Sequence, residues 1–177
     1  MNRSGRHAVV IVASTSAAAG EADDTTGPVL RSWLEEREFE TSAPVVVSDG
    51  AAVGAALREA LDAQPAVVLT TGGTGVSPSD RTPEETERLI DIHLPGIIEE
   101  LRRVGAAHVP TAILTRGVAG FSGRTLVVNL PGSPGGVRDG LAVLDTVLEH
   151  ALQQRAGVNP RDHHAHGARN RQSDSRT

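Results

Sequence analysis

The chain has 177 residues, 38% of them hydrophobic, enough for one well-cored domain and short for two. Its 22 acids against 17 bases leave a net charge of -5, which excludes nucleic acid and anionic membranes as partners held by bulk charge. Lysine and cysteine are both absent, so Schiff bases, a P-loop lysine, thiolate chemistry, disulfides and cysteine metal sites are excluded as well.

In chain order, "HAVVIVAS" (7–14) is a short β-branched run of the kind that forms a strand buried on both faces. That apolar run is too short for a signal sequence or a membrane span, so a cytoplasmic location is expected. "GPVLRSWLEEREF" (27–39) puts Val29, Leu30, Trp33 and Leu34 on one stripe and predicts an amphipathic helix with Pro28 in its first turn. "APVVVSD" (43–49) predicts a second buried strand, and "GAAVGAALREALDA" (50–63) a helix with Val53, Leu57 and Leu61 on its apolar face. "PAVVLTT" (65–71) predicts a third strand, followed by the glycine loop "GGTG". Thr82, Pro83 and Glu85 then predict a capping box opening a helix.

"LPGIIEELRRVG" (94–105) reads as a helix, and "TAILTR" (111–116) and "TLVVNL" (125–130) as strands. A long helix over 133–154 starts at Ser133-Pro134 and carries Val137, Leu141, Leu144, Leu148 and Leu152 at helical spacing. Strands alternating with helices predict an α/β fold with a mostly parallel sheet and helices on both faces, in which ligands sit outside the carboxyl ends of the strands. The domain is expected over residues 1–157. Residues 158–177, rich in Arg, His, Asp and Ser, read as a polar tail with too little apolar content to fold.

Three strand ends carry candidate chemistry. Gly72, Gly73, Thr74 and Gly75 let the backbone turn tightly and bring N–H groups against an anion, a phosphate cradle; the same glycines also suit an ordinary tight turn. Asp49 and Asp80 fall on the same rim of a parallel sheet. Beside a phosphate they are favourable with a bridging Mg²⁺, whereas on their own they serve as a helix cap and a turn acid. "NLPGSPGG" (129–136) ends a strand and opens a helix at Ser133, offering N–H groups to a second phosphate or a ring, or simply making a turn.

Together "TTGGTGVSPSDRTPEET" (70–86), "LPGIIEELRRVG" (94–105), "AILTRGVAG" (112–120) and "NLPGSPGGVRDGL" (129–141) resemble, in that order, the MogA/MoaB family of molybdenum cofactor biosynthesis proteins, to which the gephyrin G domain is related. The resemblance runs from about His7 to Gln154. It implies a three-layer α/β/α sandwich of the molybdopterin-binding type and a homotrimer. It also implies a molybdopterin adenylyltransferase that moves AMP from Mg-ATP to the terminal phosphate of molybdopterin and releases pyrophosphate. A contact with the molybdate-insertion protein is among the partners implied; nucleic acid and membrane are not.

Asp49 and Asp80 match the two acids of the family's active site and would hold Mg²⁺; Gly72, Gly73, Thr74 and Gly75 match its phosphate loop. Ser14, Asp24, Arg116 and Ser133 match further family positions, Arg116 as a source of positive charge for the anion. Thr15, Ala22, Ser79 and Thr115 depart from the family's usual aspartate, tyrosine, arginine and serine, and the missing arginine at Ser79 removes one expected anion contact. Those departures keep open a carrier or scaffold that binds molybdopterin without adenylylating it. His163, His164 and His166 suggest metal handling by the tail, against a plainly solvated tail; His7, His93, His108 and His150 show no ligand spacing.

Overall fold

A computed structural model of the chain describes residues 6–158. The tail histidines and the reading of the tail as unfolded lie outside the described residues.

β1 (Arg6–Ala13) is the long strand of the sheet. A single helical turn α1 (Thr15–Ala18) and the helix α2 (Gly27–Glu35) follow it. Along one edge of β1 run two short strands, β2 (Phe39–Thr41) pairing with Arg6–Ala8 and β3 (Val45–Val47) pairing with Ile11–Ala13, both parallel. The other edge of β1 pairs in parallel with β4 (Val67–Thr71), reached through α3 (Ala51–Asp62). β4 pairs in parallel with β7 (Thr125–Leu130). Between them the chain makes α4 (Thr82–Glu87), β5 (Ile92–His93), α5 (Pro95–Ala106), a 3₁₀ turn (Pro110–Leu114) and β6 (Ala119–Ser122). β6 is antiparallel to both β7 and β5, and α6 (Pro134–Arg155) closes the described chain.

The strand order is β2-β1-β4-β7-β6-β5, with β3 beside β1. Because side chains alternate along a strand, β1 sends Val10 and Val12 to one face and Ile11 and Ala13 to the other. The first face is covered by Leu30 and Leu34 of α2, Ile98 and Leu101 of α5 and Leu141, Leu144 and Leu148 of α6. The second is covered by Val53 and Leu57 of α3. This is the expected three-layer α/β/α sandwich with a mostly parallel sheet. Among the described residues no helix is long and apolar enough to cross a membrane.

Several local expectations are corrected. The run 43–49 is a three-residue edge strand, half exposed rather than buried, because β2 and β3 share one edge of β1 and Pro44 has no N–H to carry the ladder between them. Val29 is 44% exposed and lies off the buried stripe that Leu30, Trp33 and Leu34 form. "TAILTR" is no strand. Pro110 opens a 3₁₀ turn that leaves Ile113 and Leu114 exposed, a short apolar run carrying no periodicity to separate the two outcomes. The strands β5 and β6 went unpredicted, since Gly117 and Gly120 break up the apolar pattern; the two-residue turn at Gly123-Arg124 was the available sign of a hairpin.

The capping box at Thr82 does not form. Arg81 takes the N-cap position without a side-chain bond, and Thr82 is the first helical residue, its own N–H donating to Gly73 O at 3.2 Å. One residue too far into the helix, the Thr82 hydroxyl cannot reach the N–H a capping threonine accepts. It is buried without a partner, and Glu85 packs against Gly54 and pairs with Arg88 instead of reaching back to the cap.

Candidate active site

The rim formed by the carboxyl ends of β1, β3, β4 and β7 carries the candidate residues, and a buried polar knot holds it. Asn129 donates through Nδ2 to the Thr70 and Thr86 hydroxyls, each at 2.9 Å, and accepts the Val118 N–H through Oδ1. Thr86 in turn donates to Thr82 O. β7, β4 and α4 are thereby tied by groups that are 0% exposed, where a missing partner would be costly.

Gly72 and Gly73 follow β4 with φ of +92° and +62°, a conformation glycine adopts without strain. They are also packed where side chains have no room. A Cβ on Gly72 would collide with the Ala13 carbonyl at the end of β1, and one on Gly73 with Asp49 Oδ2 and Thr82 Oγ1. The Thr71 hydroxyl donates to Pro131 O at 2.8 Å, and Gly132 lies against Gly72. The glycine loop and the "LPGSP" turn therefore sit side by side.

Asp49 and Asp80 both reach this loop. Asp49 Oδ1 accepts the Gly50 N–H at 2.7 Å and the Arg81 N–H at 3.2 Å; Gly50, not Asp49, is the N-cap of α3. Asp80 Oδ2 accepts the Ser77 N–H at 3.1 Å and stands over Gly75. Ser133 caps α6, accepting the Gly136 N–H at 3.1 Å, as its position beside Pro134 predicts. Ser14 caps the short α1 by accepting the Ala17 N–H, and Asp24 accepts the Thr26 and Gly27 N–H groups at the start of α2.

Arg116 lies behind the loop. Its Nε donates to Gly75 O at 2.7 Å and its Nη2 to Asp80 O at 2.8 Å, while Nη1 pairs with Glu84. That hydrogen bond holds the Glu84 carboxyl below the usual carboxylate range. Thr115, in the place of the family's serine, donates to the Thr74 hydroxyl at 3.2 Å.

A cavity of about 730 Å³ opens between the two loops, lined by Gly73, Thr74, Gly75 and Asp80 on one side and by Pro131 to Ser133 on the other. Its far wall is made by Leu101 and Gly105 of α5, with His108, Val109, Leu114 and Arg138. Sequence reasoning gave none of these wall residues a role, since their meeting depends on the 3₁₀ turn it read as a strand. A second cavity of about 750 Å³, at the opposite pole beside Arg6, Ser122 and Arg155, contains none of the candidates.

The donor set suits a hard cation: two carboxylates, and the unpartnered Thr82 hydroxyl converging with Asp49 Oδ2 on Gly73. Among the described residues no group of three or more His, Cys, Asp or Glu is placed to hold a metal. Mg²⁺ fits here only with phosphate oxygens and water completing its shell.

The site thus joins a mostly parallel α/β sheet with a glycine loop, a second helix-opening turn and two acids on its carboxyl rim. The chain belongs to the molybdenum cofactor biosynthesis family: residues 9–150 match the family model described as "Probable molybdopterin binding domain". Over 156 residues it is 37% identical to the molybdenum cofactor biosynthesis bifunctional protein of Synechococcus elongatus, covering 88% of this chain and 49% of that one. It is 35% identical over 136 residues to the molybdopterin adenylyltransferase of Haemophilus influenzae, covering 75% of this chain and 69% of the relative. The chain thus spans about half the length of the bifunctional relative. The solved structure of the molybdopterin biosynthesis Mog protein from Mycobacterium ulcerans is 51% identical and superposes with a TM-score of 0.82, covering 85% of this chain and 99% of that one.

Proposed function

We propose that the chain is a molybdopterin adenylyltransferase. An oxygen of the terminal phosphate of molybdopterin attacks the α-phosphorus of ATP; the bond between the α-phosphorus and its bridging oxygen breaks, AMP is joined to the pterin phosphate, and pyrophosphate leaves. The single observation that supports this most strongly is the meeting of the glycine loop, with Asp80 on its side, and the "LPGSP" turn across one cavity. Two phosphate-bearing substrates brought together would be served by two N–H-rich loops facing each other, and the pairing of these two turns on one rim supports that reading.

The protein's part is placement and charge, since nucleotidyl transfer requires no covalent side-chain intermediate and the chain has no cysteine or lysine to offer one. N–H groups of Gly73 to Gly75 would hold one phosphate group and the α6 N-terminus behind Ser133 another. Asp49 and Asp80 would hold Mg²⁺, which when bound neutralises the gathered phosphate charge. Ser14 stands at the end of β1 on the same rim, where it orders α1 beside Asp49. Assembly as a homotrimer, a cytoplasmic location and a contact with the molybdate-insertion protein complete the reading that the family resemblance implies.

The test is an end-point assay of the purified chain with ATP, Mg²⁺ and molybdopterin. Release of pyrophosphate that requires molybdopterin supports transfer, whereas ATP and pterin binding without pyrophosphate release would make the chain a carrier.

A further inference from the structure

Resting on that reading of the glycine loop, we infer that Arg116 is a positioning residue, a clasp across the base of the 75–80 segment, and not a ligand of the substrate anion. Three carbonyls converge on it: Thr74 O accepts its backbone N–H at 2.8 Å, Gly75 O its Nε and Asp80 O its Nη2. The guanidinium bridges the two ends of a segment whose middle, Val76 to Ser79, is exposed. Its charge is met by Glu84 in the first turn of α4.

Peptide planarity gives the clasp its consequence. In a trans peptide the C=O of one residue and the N–H of the next point in opposite directions. With the Asp80 carbonyl turned to Arg116, the Arg81 N–H points the other way, and it is the group that reaches Asp49 Oδ1. By the same geometry, turning the Thr74 and Gly75 carbonyls to Arg116 aims the N–H groups of Gly75 and Val76 away from it. Neither of these two successive N–H groups has a hydrogen-bond partner among the described residues, and Gly75 lines the cavity. Successive backbone N–H groups facing one way form an anion nest. Arg116 therefore acts on the anion through the loop: it fixes which way the peptide dipoles face and where Asp80 stands.

The two roles predict opposite signs when Glu84 is neutralised. A direct anion ligand freed of its counter-charge binds more tightly, whereas a clasp that loses an anchor lets the loop open. The experiment compares wild type with E84Q, R116K and R116A by hydrogen–deuterium exchange of peptides covering 72–80 in the ligand-free protein, and by calorimetric titration with inorganic pyrophosphate. E84Q, which keeps an accepting oxygen but removes the charge that strengthens the Arg116–Glu84 hydrogen bond, should speed exchange in this segment by up to about tenfold and weaken pyrophosphate binding by a similar factor. R116K, which keeps the charge but not the rigid fork that reaches Gly75 O, Asp80 O and Glu84 from separate nitrogens, should fall between wild type and R116A, and either E84Q or R116K carries the test should R116A fail to fold. Tighter pyrophosphate binding by E84Q, or unchanged loop exchange in R116K and E84Q, overturns the clasp. Absence of pyrophosphate binding by wild type would instead sink the phosphate reading of the loop, while the exchange measurement still decides the clasp.

Discussion

Asp49, at the end of β3, accepts the backbone N–H of Arg81 at 3.2 Å, so one acid of the rim is tied to the residue that follows the other. Asp49 and Asp80 are separated by a strand, a helix and a loop in the chain. That hydrogen bond, with Gly73 packed against Asp49 and Thr82 and Gly75 against Asp80, brings both acids to the glycine loop, and of the two Asp80 lines the cavity.

Changing either acid to asparagine should then separate chemistry from folding. Asn keeps an oxygen that accepts the Arg81 N–H at position 49 and the Ser77 N–H at position 80, so the loop survives while a negative charge is lost. We expect D80N and D49N to retain the wild-type circular dichroism spectrum and to lose AMP transfer by about a hundredfold or more, the scale on which removal of an electrostatic group acts in catalysis. D80N turning over at the wild-type rate would remove Asp80 from the metal role.

Gly73→Ala should be worse than Gly75→Ala. At Gly73 a Cβ meets Asp49 and Thr82 together, and the φ of +62° adds about 1–2 kcal/mol of left-handed strain for an alanine. At Gly75 it meets only the Asp80 carboxylate, at 2.7 Å, which can swing aside at the expense of its bond to Ser77. Thermal unfolding should show a clear loss of Tm for G73A and little change for G75A, with G75A weakening metal-dependent nucleotide binding. Equal Tm values would contradict this packing.

In the sequence Asn129 marks only the end of a strand, and its side chain carries no signal of its own. In the fold it satisfies two buried threonine hydroxyls and the half-buried Val118 N–H at once. N129A should leave the Val118 N–H and two threonine hydroxyls short of partners and cost about 2–4 kcal/mol, on the scale of 1–3 kcal/mol per buried unsatisfied group. Urea unfolding measures this, and a cost under about 0.5 kcal/mol would show that the knot relaxes freely.

What could be read in the sequence and what could not divide along physical lines. β1, β4 and β7 are continuous apolar runs, and α6 has a serine cap, a proline and five leucine or valine positions at helical spacing, so local composition reports them directly. The glycine loop was legible because close approach leaves no alternative residue. The 3₁₀ turn at Pro110–Leu114, the antiparallel β5–β6 pair and the position of Thr82 one residue beyond a cap are set by contacts between distant segments. Arg116 shows the same limit: its residue type matched an anion-binding role, but the direction of its guanidinium, toward carbonyls and Glu84, is a property of the fold.

The Arg116–Glu84 pair should also make the loop sensitive to acid. Glu84 has its pKa held below the ordinary 4.5, chiefly by the hydrogen bond from Arg116, with the charges of Arg116 and Arg81 adding to the effect. A carboxylate with a lowered folded-state pKa contributes fully above its unfolded value and loses the contribution as pH falls through the folded one. Exchange in residues 72–80 should thus be level from neutral pH down to about pH 5 in relative protection and rise below it in wild type, and the rise should be absent in E84Q. A rise on going from neutral to alkaline pH would have the wrong sign for this pair.

The most direct measurement is pyrophosphate released per turnover when the purified chain is mixed with ATP, Mg²⁺ and molybdopterin. An adenylyltransferase built on this rim releases one pyrophosphate for each adenylylated pterin, none when molybdopterin is omitted, and does so about a hundredfold or more slowly in D80N. Binding of both ligands with no pyrophosphate from the wild-type protein would contradict it.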